Sequence, residues 1–512
     1  GTRGHVLLDP KRAHPAVGAS DRCGYERGAP LKSPSFDAIV VGGGPNGLAA
    51  AITLARAGRS VQLIEAEASI GGGCRSAELT LPGFMHDVCS AVHPMARSSP
   101  FFSQLPLERH GLRWIEPEVP LAHPLDEGAA IVFRDVAVTA GRLGQDAGAY
   151  LRLLRPAARD WDLIIGELAG PFRIPYPSRK LPAIIHFGLR AVQPATLLAR
   201  RFRTPAARAL LAGCAAHSML RLSEPLTGAF ALIFLAGAHA AGWPIAGGGS
   251  QQIANALGAH LAELGGSIVT SERVGSLDQL PSHRAVLLDL APRQVLELAG
   301  KRIHRHRWGN LYLRQLRRFR YGPGVFKLDL ALDGPIPWRD PDVLRAATVH
   351  VGGTFEEIAR AEATVAEGRI PEQPFVLLAQ PTLFDPSRAP PGRHTVWAYC
   401  HVPNGSTVDM RDRILGQIER FAPGFRDRIL AVSSRGPADL ERYDPNYVGG
   451  DIGSGRSDMW QFFTRPAWQL DPYRTPDPGI LLCSASTPPG AGVHGLCGWY
   501  AARSALRGVL RE

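Results

Sequence analysis

A glycine-rich turn between two predicted β-strands constrains the fold of this chain more than any other feature. Residues 37–65 read as a buried strand, the turn that starts at Gly42, a helix of small residues and a second strand that ends at Glu65. Gly42 permits a tight turn, Gly44 lets the backbone approach a pyrophosphate, and Gly47 lets the helix pack closely on the strands. The segment therefore predicts a βαβ unit that binds a dinucleotide.

The helix and the acid supply complementary contacts. The free N–H groups at the helix start point towards phosphates, and the helix dipole favours negative charge there. Glu65 is placed to accept hydrogen bonds from ribose hydroxyls, and its carboxylate would repel a 2′-phosphate. An ordinary βαβ unit without a ligand is the alternative, but the order of strand, turn, helix, strand and acid favours the dinucleotide site.

The length and net charge of the chain narrow the number of domains and the kinds of partner to expect. A chain of 512 residues is long enough for two intertwined domains. Its net charge of +11 fits an anionic partner, and the basic residues concentrate in segments 190–208 and 301–320. We find no basic–aromatic ladder and no nucleic-acid motif, so we predict no nucleic-acid partner. A peripheral position at a membrane surface stays open.

The seven cysteines are scattered, without a C-x-x-C pair or zinc-ligand spacing. This pattern predicts reduced thiols in a cytoplasmic protein, no metal site, and no redox-active disulfide. Residues 1–35 carry charges of both signs and lack an apolar core, so we expect a disordered tail rather than a secretory signal.

Segment 225–261 contains no Asp, Glu, Lys or Arg. A spanning helix needs about twenty consecutive apolar residues, and His239, Pro244 and a glycine triplet interrupt this segment. We therefore predict a buried helix that lines an apolar cavity. Segment 181–203 mixes apolar and basic residues, which fits either a membrane-surface element or a solvated helix face.

Two rows of side chains in the predicted strands of 321–402 suggest a substrate domain. Trp397, Tyr399 and His401 share one strand face by period-two alternation, as in the wall of a substrate cavity or in an ordinary core. Lys327 and Asp329 share a face of another strand. They fit a structural ion pair or a catalytic pair, and Lys327 is one catalytic candidate.

The C-terminal segment repeats the pattern of the first turn. A buried strand at 480–483 leads into a Pro/Gly turn and then into a helix of small residues. Helix N–H groups at such a start suit a ligand that carries negative charge, and a reduced flavin develops negative charge at N1 and O2. Val493 and His494 would lie close to that edge.

Several motifs carry a resemblance that runs from about residue 36 to the C-terminus. They are VGGGPNGL from Val41, IGGGCRS from Ile70, YGPGVFKLDLALDGPIPW from Tyr321, WAYCHVP from Trp397, RFAPGF from Arg420, NYVGGD from Asn446 and TPPGAGVHGLCG from Thr487. With them the chain resembles the phytoene dehydrogenase-related branch of FAD-dependent, amine-oxidase-like flavoproteins. This branch includes carotenoid desaturases and isomerases, retinol saturase, and the group named pyridine nucleotide-disulfide oxidoreductase domain-containing protein 2.

The resemblance implies FAD as cofactor and an α/β fold, in which a Rossmann-type FAD-binding domain is interleaved with an α+β substrate domain that carries a mixed sheet. The FAD-binding domain would take 36–105, 246–300 and 440–512, and the substrate or cap domain 106–245 and 301–439. The implied cofactor-binding residues are Gly42, Gly44, Pro45, Asn46, Gly47, Glu65, Gly72, Gly73, Arg75, Gly490, Gly492, Val493 and His494. Many relatives carry an arginine where Ser69 or Ile70 stands here, so the phosphate-side cation differs.

We therefore expect an oxidoreductase that moves a hydride between a hydrophobic, polyene- or isoprenoid-like substrate and flavin N5. The catalytic candidates are His494, His401 and Lys327. Two alternatives remain, namely a flavin amine oxidase acting on a small amine and an FAD-bound interaction protein without turnover. The missing C-x-x-C pair argues against a disulfide reductase.

Overall fold

The computed structural model describes residues 6–7, 26–27, 35–171 and 181–511. The predicted disordered tail, 1–35, lies outside the described residues except for Ser35 and two short strands, Val6–Leu7 and Glu26–Arg27, which pair in parallel at the edges of the two large sheets.

The glycine turn belongs to a six-stranded sheet in which every pair of neighbours is parallel. The strands Phe36–Val41, Val61–Ile64 and Ile480–Leu482 are largely buried because helices cover both faces of the sheet, as is usual for parallel sheets. In spatial order they are Ile480–Leu482, His283–Leu288, Phe36–Val41, Val61–Ile64, Ser267–Thr270 and Glu26–Arg27.

An eight-stranded mixed sheet forms the second layer. Its central strands, Gly324–Leu332 and His394–Val402, are antiparallel over nine residue pairs, with Lys327 opposite Tyr399. Both strands are buried on their two faces. In spatial order the strands are Val6–Leu7, Ile429–Arg435, Gly324–Leu332, His394–Val402, Val376–Ala379, Ala346–Val351, Val119–Pro124 and Ala129–Val132. Two further pairs are Trp114–Ile115 with Ile245–Ala246 and Ser76–Glu78 with Met85–Asp87.

Helices fill the space around and between the sheets. They are Pro45–Arg56, Pro94–Arg97, Val136–Gly141, Ala147–Arg159, Trp161–Leu168, Leu181–Ala191, Ala195–Ala199, Pro205–Ala216, Thr227–Ala240, Gln251–Glu263, Pro292–His304, Gly309–Arg317, Phe355–Ala366, Arg411–Phe421, Pro437–Tyr443, Met459–Thr464 and Leu496–Arg507. A parallel sheet beside a mixed sheet, with helices around both, confirms the predicted fold class.

The uncharged segment 225–261 folds as two helices joined by a short strand, and its first helix, Thr227–Ala240, is largely buried. His239 fits inside because its ring nitrogens are hydrogen-bonded to the Tyr150 hydroxyl, at 2.8 Å, and to the Phe133 carbonyl, at 2.9 Å. Within the described residues, every helix is too short or too polar to cross a bilayer.

Distant parts of the chain meet on the parallel sheet. The first helix, Pro45–Arg56, packs along the last one, Leu496–Arg507. The contact is so close that a Cβ atom at Gly498 would lie 1.8 Å from the Asn46 carbonyl oxygen, so only glycine fits there. Residues about 450 positions apart therefore form one layer. The boundaries of the FAD-binding and substrate domains stay a prediction.

Candidate functional site

One large cavity, of about 640 Å³, lies at the carboxyl ends of the parallel strands and extends to the mixed sheet. Open α/β sheets bind ligands at this edge, and the volume is in the range of small-molecule sites. Ten of the predicted cofactor residues line it, namely Gly42, Gly44, Pro45, Asn46, Glu65, Gly72, Gly73, Arg75, Gly492 and Val493. Gly47, Gly490 and His494 lie next to these residues in sequence but are not part of the lining.

The first glycine turn has the backbone that its sequence predicts. Gly42 adopts a φ of +105°, which L side chains rarely adopt. A Cβ atom at Gly47 would lie 1.9 Å from the Gly42 carbonyl oxygen, so the close approach of helix and strand requires glycine. The helix begins directly at the cavity, and Gly44 is its N-cap.

Glu65 is buried at the end of the second strand, where its carboxylate accepts hydrogen bonds from two backbone N–H groups. The Gly43 N–H donates at 2.7 Å and the Glu67 N–H at 2.9 Å. Arg75 pairs with the same carboxylate at 3.2 Å and lies 5.5 Å from the centre of the Tyr443 ring. Arg75, one of the predicted cofactor-binding residues, therefore neutralises the acid predicted for the ribose.

Asp289 is a cavity residue that the sequence analysis missed. It follows the strand His283–Leu288, and its carboxyl accepts a hydrogen bond of 2.8 Å from the Gly47 N–H at the helix start. Burial raises the pKa of Asp289 to about 8, and the carboxylates of Asp444 and Glu65 contribute to the rise. A carboxyl that stays protonated at neutral pH adds no negative charge beside the glycine turn.

Two tyrosines hold the second glycine turn. The Tyr443 hydroxyl donates to the Gly72 carbonyl at 2.7 Å, and Gly72 itself has a φ of +52°. A Cβ atom at Gly73 would lie 2.5 Å from the Tyr447 hydroxyl oxygen. Side-chain-free backbone therefore faces the cavity here, as the glycine cluster predicts.

His494, the first catalytic candidate, is buried within the C-terminal turn. The Leu496 N–H donates to its Nδ1 at 3.0 Å, so Nε2 carries the proton that is donated to the Gly490 carbonyl at 3.2 Å. Burial lowers the pKa of His494 to about 4. Both ring nitrogens are thus used to fix the turn before the last helix.

The other two catalytic candidates are also buried and paired. Nδ1 of His401 lies 2.9 Å from both carboxylate oxygens of Glu362. Lys327 forms an ion pair with Asp329, and burial lowers the pKa of this lysine. Among the described residues that line the cavity, none of the three catalytic candidates occurs, and a catalytic role for them stays a prediction.

The far wall of the cavity is aromatic and apolar. Trp397 and Tyr399 line it, whereas His401, the third member of their row, does not. Their rings contact each other edge to face, with 5.0 Å between the centroids, and the Trp397 indole N–H donates to the Cys89 carbonyl at 2.8 Å. Other large apolar side chains that line the cavity include Phe230, Phe234, Trp243 and Leu377.

A pair of histidines adjoins this apolar wall and was not predicted. His217 lines the cavity, and its Nε2 lies 3.0 Å from Nε2 of the fully buried His350. Burial lowers the pKa of His217 to about 3 and holds that of His350 well below its usual value. Phe234 packs on the His217 ring, with 4.2 Å between centroids. The wall therefore disfavours positive charge.

The chain is similar to known proteins over most of its length. A family model described as an NAD(P)-binding Rossmann-like domain matches residues 40–105. Pyridine nucleotide-disulfide oxidoreductase domain-containing protein 2 of Mus musculus is 26% identical over 93% of this chain and 94% of its own length. A phytoene dehydrogenase of Streptomyces griseus is 26% identical over 82% of each chain. Both matches confirm the resemblance predicted from the motifs.

Solved structures share the fold at low sequence identity. An oxidoreductase from Methanosarcina mazei has a TM-score of 0.62 at 15% identity, covering 92% of this chain and 99% of that one. The cyclohexylamine oxidase of Brevibacterium oxydans has a TM-score of 0.54 at 13% identity, covering 93% and 99%. These similarities extend to both sheets, because they cover nearly the whole chain.

Proposed function

Because the chain is a homologue of pyridine nucleotide-disulfide oxidoreductase domain-containing protein 2 and of a phytoene dehydrogenase, we propose that it is an FAD-dependent oxidoreductase acting on a hydrophobic, uncharged substrate. One observation carries the proposal. A single cavity is lined both by the glycine turns at the parallel sheet and by the aromatic wall of the mixed sheet. A dinucleotide held at one end would therefore share the cavity with an apolar substrate.

The residues at the parallel sheet fit FAD. The turn from Gly42 to Gly44 and the start of the following helix offer backbone N–H groups without side chains, which is what a pyrophosphate needs. Glu65 would accept ribose hydroxyls, and the protonated Asp289 would leave the phosphates unopposed. In this proposal Gly72, Gly73 and Arg75 lie between the pyrophosphate and the flavin.

The protein's part in the reaction would be to bind, orient and exclude water. A bound flavin supplies hydride acceptance or donation at N5. Trp397, Tyr399 and Phe234 would hold an apolar chain against it and keep water out, which strengthens the electrostatic interactions inside the cavity. The backbone at Ala491–Val493, just before the last helix, would favour negative charge on the ligand it faces.

The same wall argues for a neutral substrate rather than an amine. Surroundings that lower the pKa of His217 to about 3 destabilise any cation, including a substrate ammonium group. An aromatic cage for an amine needs rings that flank the ligand. Trp397 and Tyr399 instead pack edge to face on each other, which leaves no slot between them.

The visible spectrum of the purified protein tests the proposal, recorded under anaerobic conditions before and after addition of NADH or NADPH. We expect an oxidised flavin spectrum. Bleaching would favour a reductase or saturase reaction, and a persistent oxidised spectrum would favour a substrate that donates the electrons. Protein that is colourless and takes up no added FAD would refute the cofactor assignment.

A substrate panel follows with the flavin-loaded protein. Bleaching or oxygen consumption with apolar polyenes, and none with small amines, is the expected result. The opposite pattern would establish the amine oxidase alternative. Flavin that neither nicotinamides, polyenes nor amines reduce would favour an interaction protein without turnover.

A further inference from the structure

Large apolar side chains are exposed in several segments outside the cavity, and the exposed tryptophans lie in two of them. In the segment around the helix Met459–Thr464, Trp460 is 78% exposed, Trp468 75% and Leu470 fully. In the segment around the helix Gly309–Arg317, Trp308 is 64% exposed. Soluble monomers rarely leave contiguous groups of such side chains in water, and where they do, the group usually marks an interaction surface. The set, called the Trp face below, consists of Trp308, Leu311, Trp460, Phe463, Trp468 and Leu470.

Hydrogen bonds join the two segments into one surface. The Trp468 N–H donates to the Gln315 side chain at 2.8 Å. The Gln461 side chain accepts from the Arg320 N–H at 2.9 Å and donates to the Arg320 carbonyl at 2.7 Å. Ala467 belongs to the same buried cluster as Tyr312, Leu313 and Leu316 on the inner side of the helix. The exposed side chains of both segments are therefore held on a fixed backbone.

The Trp face is strongly basic. Segment 301–320 contains eight Lys and Arg residues and no Asp or Glu. Two of the eight are neutralised, because Arg302 pairs with Asp477 and Arg320 with Asp458. Six are exposed and form no ion pair with any described residue, namely Lys301, Arg305, Arg307, Arg314, Arg317 and Arg318.

We propose that the Trp face docks this protein on an anionic lipid bilayer. Tryptophan prefers the interface between water and hydrocarbon, and exposed leucine and phenylalanine insert below it. Each nearby Lys or Arg adds about 1 kcal/mol of attraction to anionic headgroups. Single-stranded nucleic acid would stack on the tryptophans, but it offers no burial for Leu311 and Leu470. The bilayer accounts for the apolar and the cationic side chains together.

The Trp face also adjoins the cavity. Residues 453–457 line the cavity, and Trp460 follows only three residues later. Phe319, next to the basic helix, packs so close to Gly455 that a Cβ atom there would lie 2.4 Å from its ring. A substrate dissolved in the bilayer would thus enter next to its source. This last step rests on the proposed function, whereas the docking itself does not.

Vesicle sedimentation tests the docking with the purified full chain. We expect binding to vesicles of phosphatidylcholine with 30% phosphatidylglycerol and little binding to phosphatidylcholine alone, with the difference reduced by salt. The variant Trp460→Ser/Trp468→Ser/Leu470→Ser should bind the anionic vesicles at least tenfold more weakly. Arg314→Glu/Arg317→Glu should lose a similar factor, because it reverses two charges.

The matched control is Val138→Ser/Val408→Ser, which removes two exposed apolar side chains that lie outside the Trp face and outside segment 181–203. It should bind like the wild type. The proposal is wrong if the wild type does not sediment with anionic vesicles, or if only the control loses binding. A single-stranded oligonucleotide is then added as a competitor of the vesicles. If it abolishes vesicle binding, and if the same variants no longer bind it, the surface is assigned to nucleic acid. Unchanged circular dichroism and flavin content would show that a loss of docking is separate from loss of the fold or the cofactor.

Discussion

The protonation state of Asp289 gives the sharpest prediction. Its pKa is about 8 in the folded protein and 3.8 in an unfolded chain. A carboxyl whose pKa is raised on folding stabilises the fold fully below the unfolded value, and this contribution is lost as the pH rises towards the folded value. The difference of 8 − 3.8 = 4.2 units corresponds to about 6 kcal/mol, of which about 4 kcal/mol is lost by pH 7.

Asp289→Asn removes this titration while keeping an oxygen that can accept the Gly47 N–H. We expect the free energies of unfolding of variant and wild-type apoprotein to be similar at pH 4. The variant should become more stable by about 4 kcal/mol at pH 7 and more still at pH 9. Urea unfolding followed by tryptophan fluorescence measures the difference at each pH. Asp412→Asn, which removes an exposed carboxylate, is the control for the substitution itself.

Parallel stability curves for wild type and Asp289→Asn between pH 4 and 9 would refute the reasoning, because they would mean that Asp289 is ionised and solvated in the folded state. FAD provides a second measurement on the same group. Ionisation of Asp289 above pH 8 would bring a negative charge beside the bound phosphates. The affinity for FAD should therefore fall above pH 8 in the wild type but not in the variant.

Three further changes test the packing around the site. Gly44→Val should give colourless protein with a native circular dichroism spectrum, because its side chain would occupy the place of the pyrophosphate; normal FAD content would refute this assignment. Arg388→Met leaves the buried Asp87 carboxylate without its ion pair of 2.7 Å and should lower the free energy of unfolding by about 3–5 kcal/mol. A loss below 1 kcal/mol would mean that Asp87 is not charged. Gly498→Ala should cost about 1–3 kcal/mol through overpacking against the first helix, whereas Gly166→Ala, whose Cβ meets nothing within 4 Å, should be neutral or slightly stabilising in thermal denaturation.

The parts of the site that are local in sequence could be predicted. The turn at Gly42, the acid at Glu65 and the second glycine cluster each lie within one strand–turn–helix unit, where spacing alone dictates geometry. The buried helix in segment 225–261 was also predictable, since uncharged helical surface has to be covered.

The remaining parts depend on contacts between distant segments. Asp289 meets Gly47 across 242 positions, and His217 meets His350 across 133. No periodicity encodes such encounters, so neither residue could be chosen from the sequence. For His494, the position in the sequence suggests more than the contacts of its side chain show. Its neighbours in sequence suggested a role at the flavin, but both ring nitrogens are bound by the adjacent backbone.

The order of strands in the parallel sheet has a consequence for biosynthesis. The glycine turn leaves the ribosome long before the strand Ile480–Leu482, which completes its sheet, and the helix Leu496–Arg507, which packs along its first helix. At about 5–20 residues per second, this interval lasts roughly 20–90 s. Throughout it, the helix Pro45–Arg56 lacks the last helix as its packing partner. The layer around the glycine turn can therefore be completed only after translation has passed residue 507.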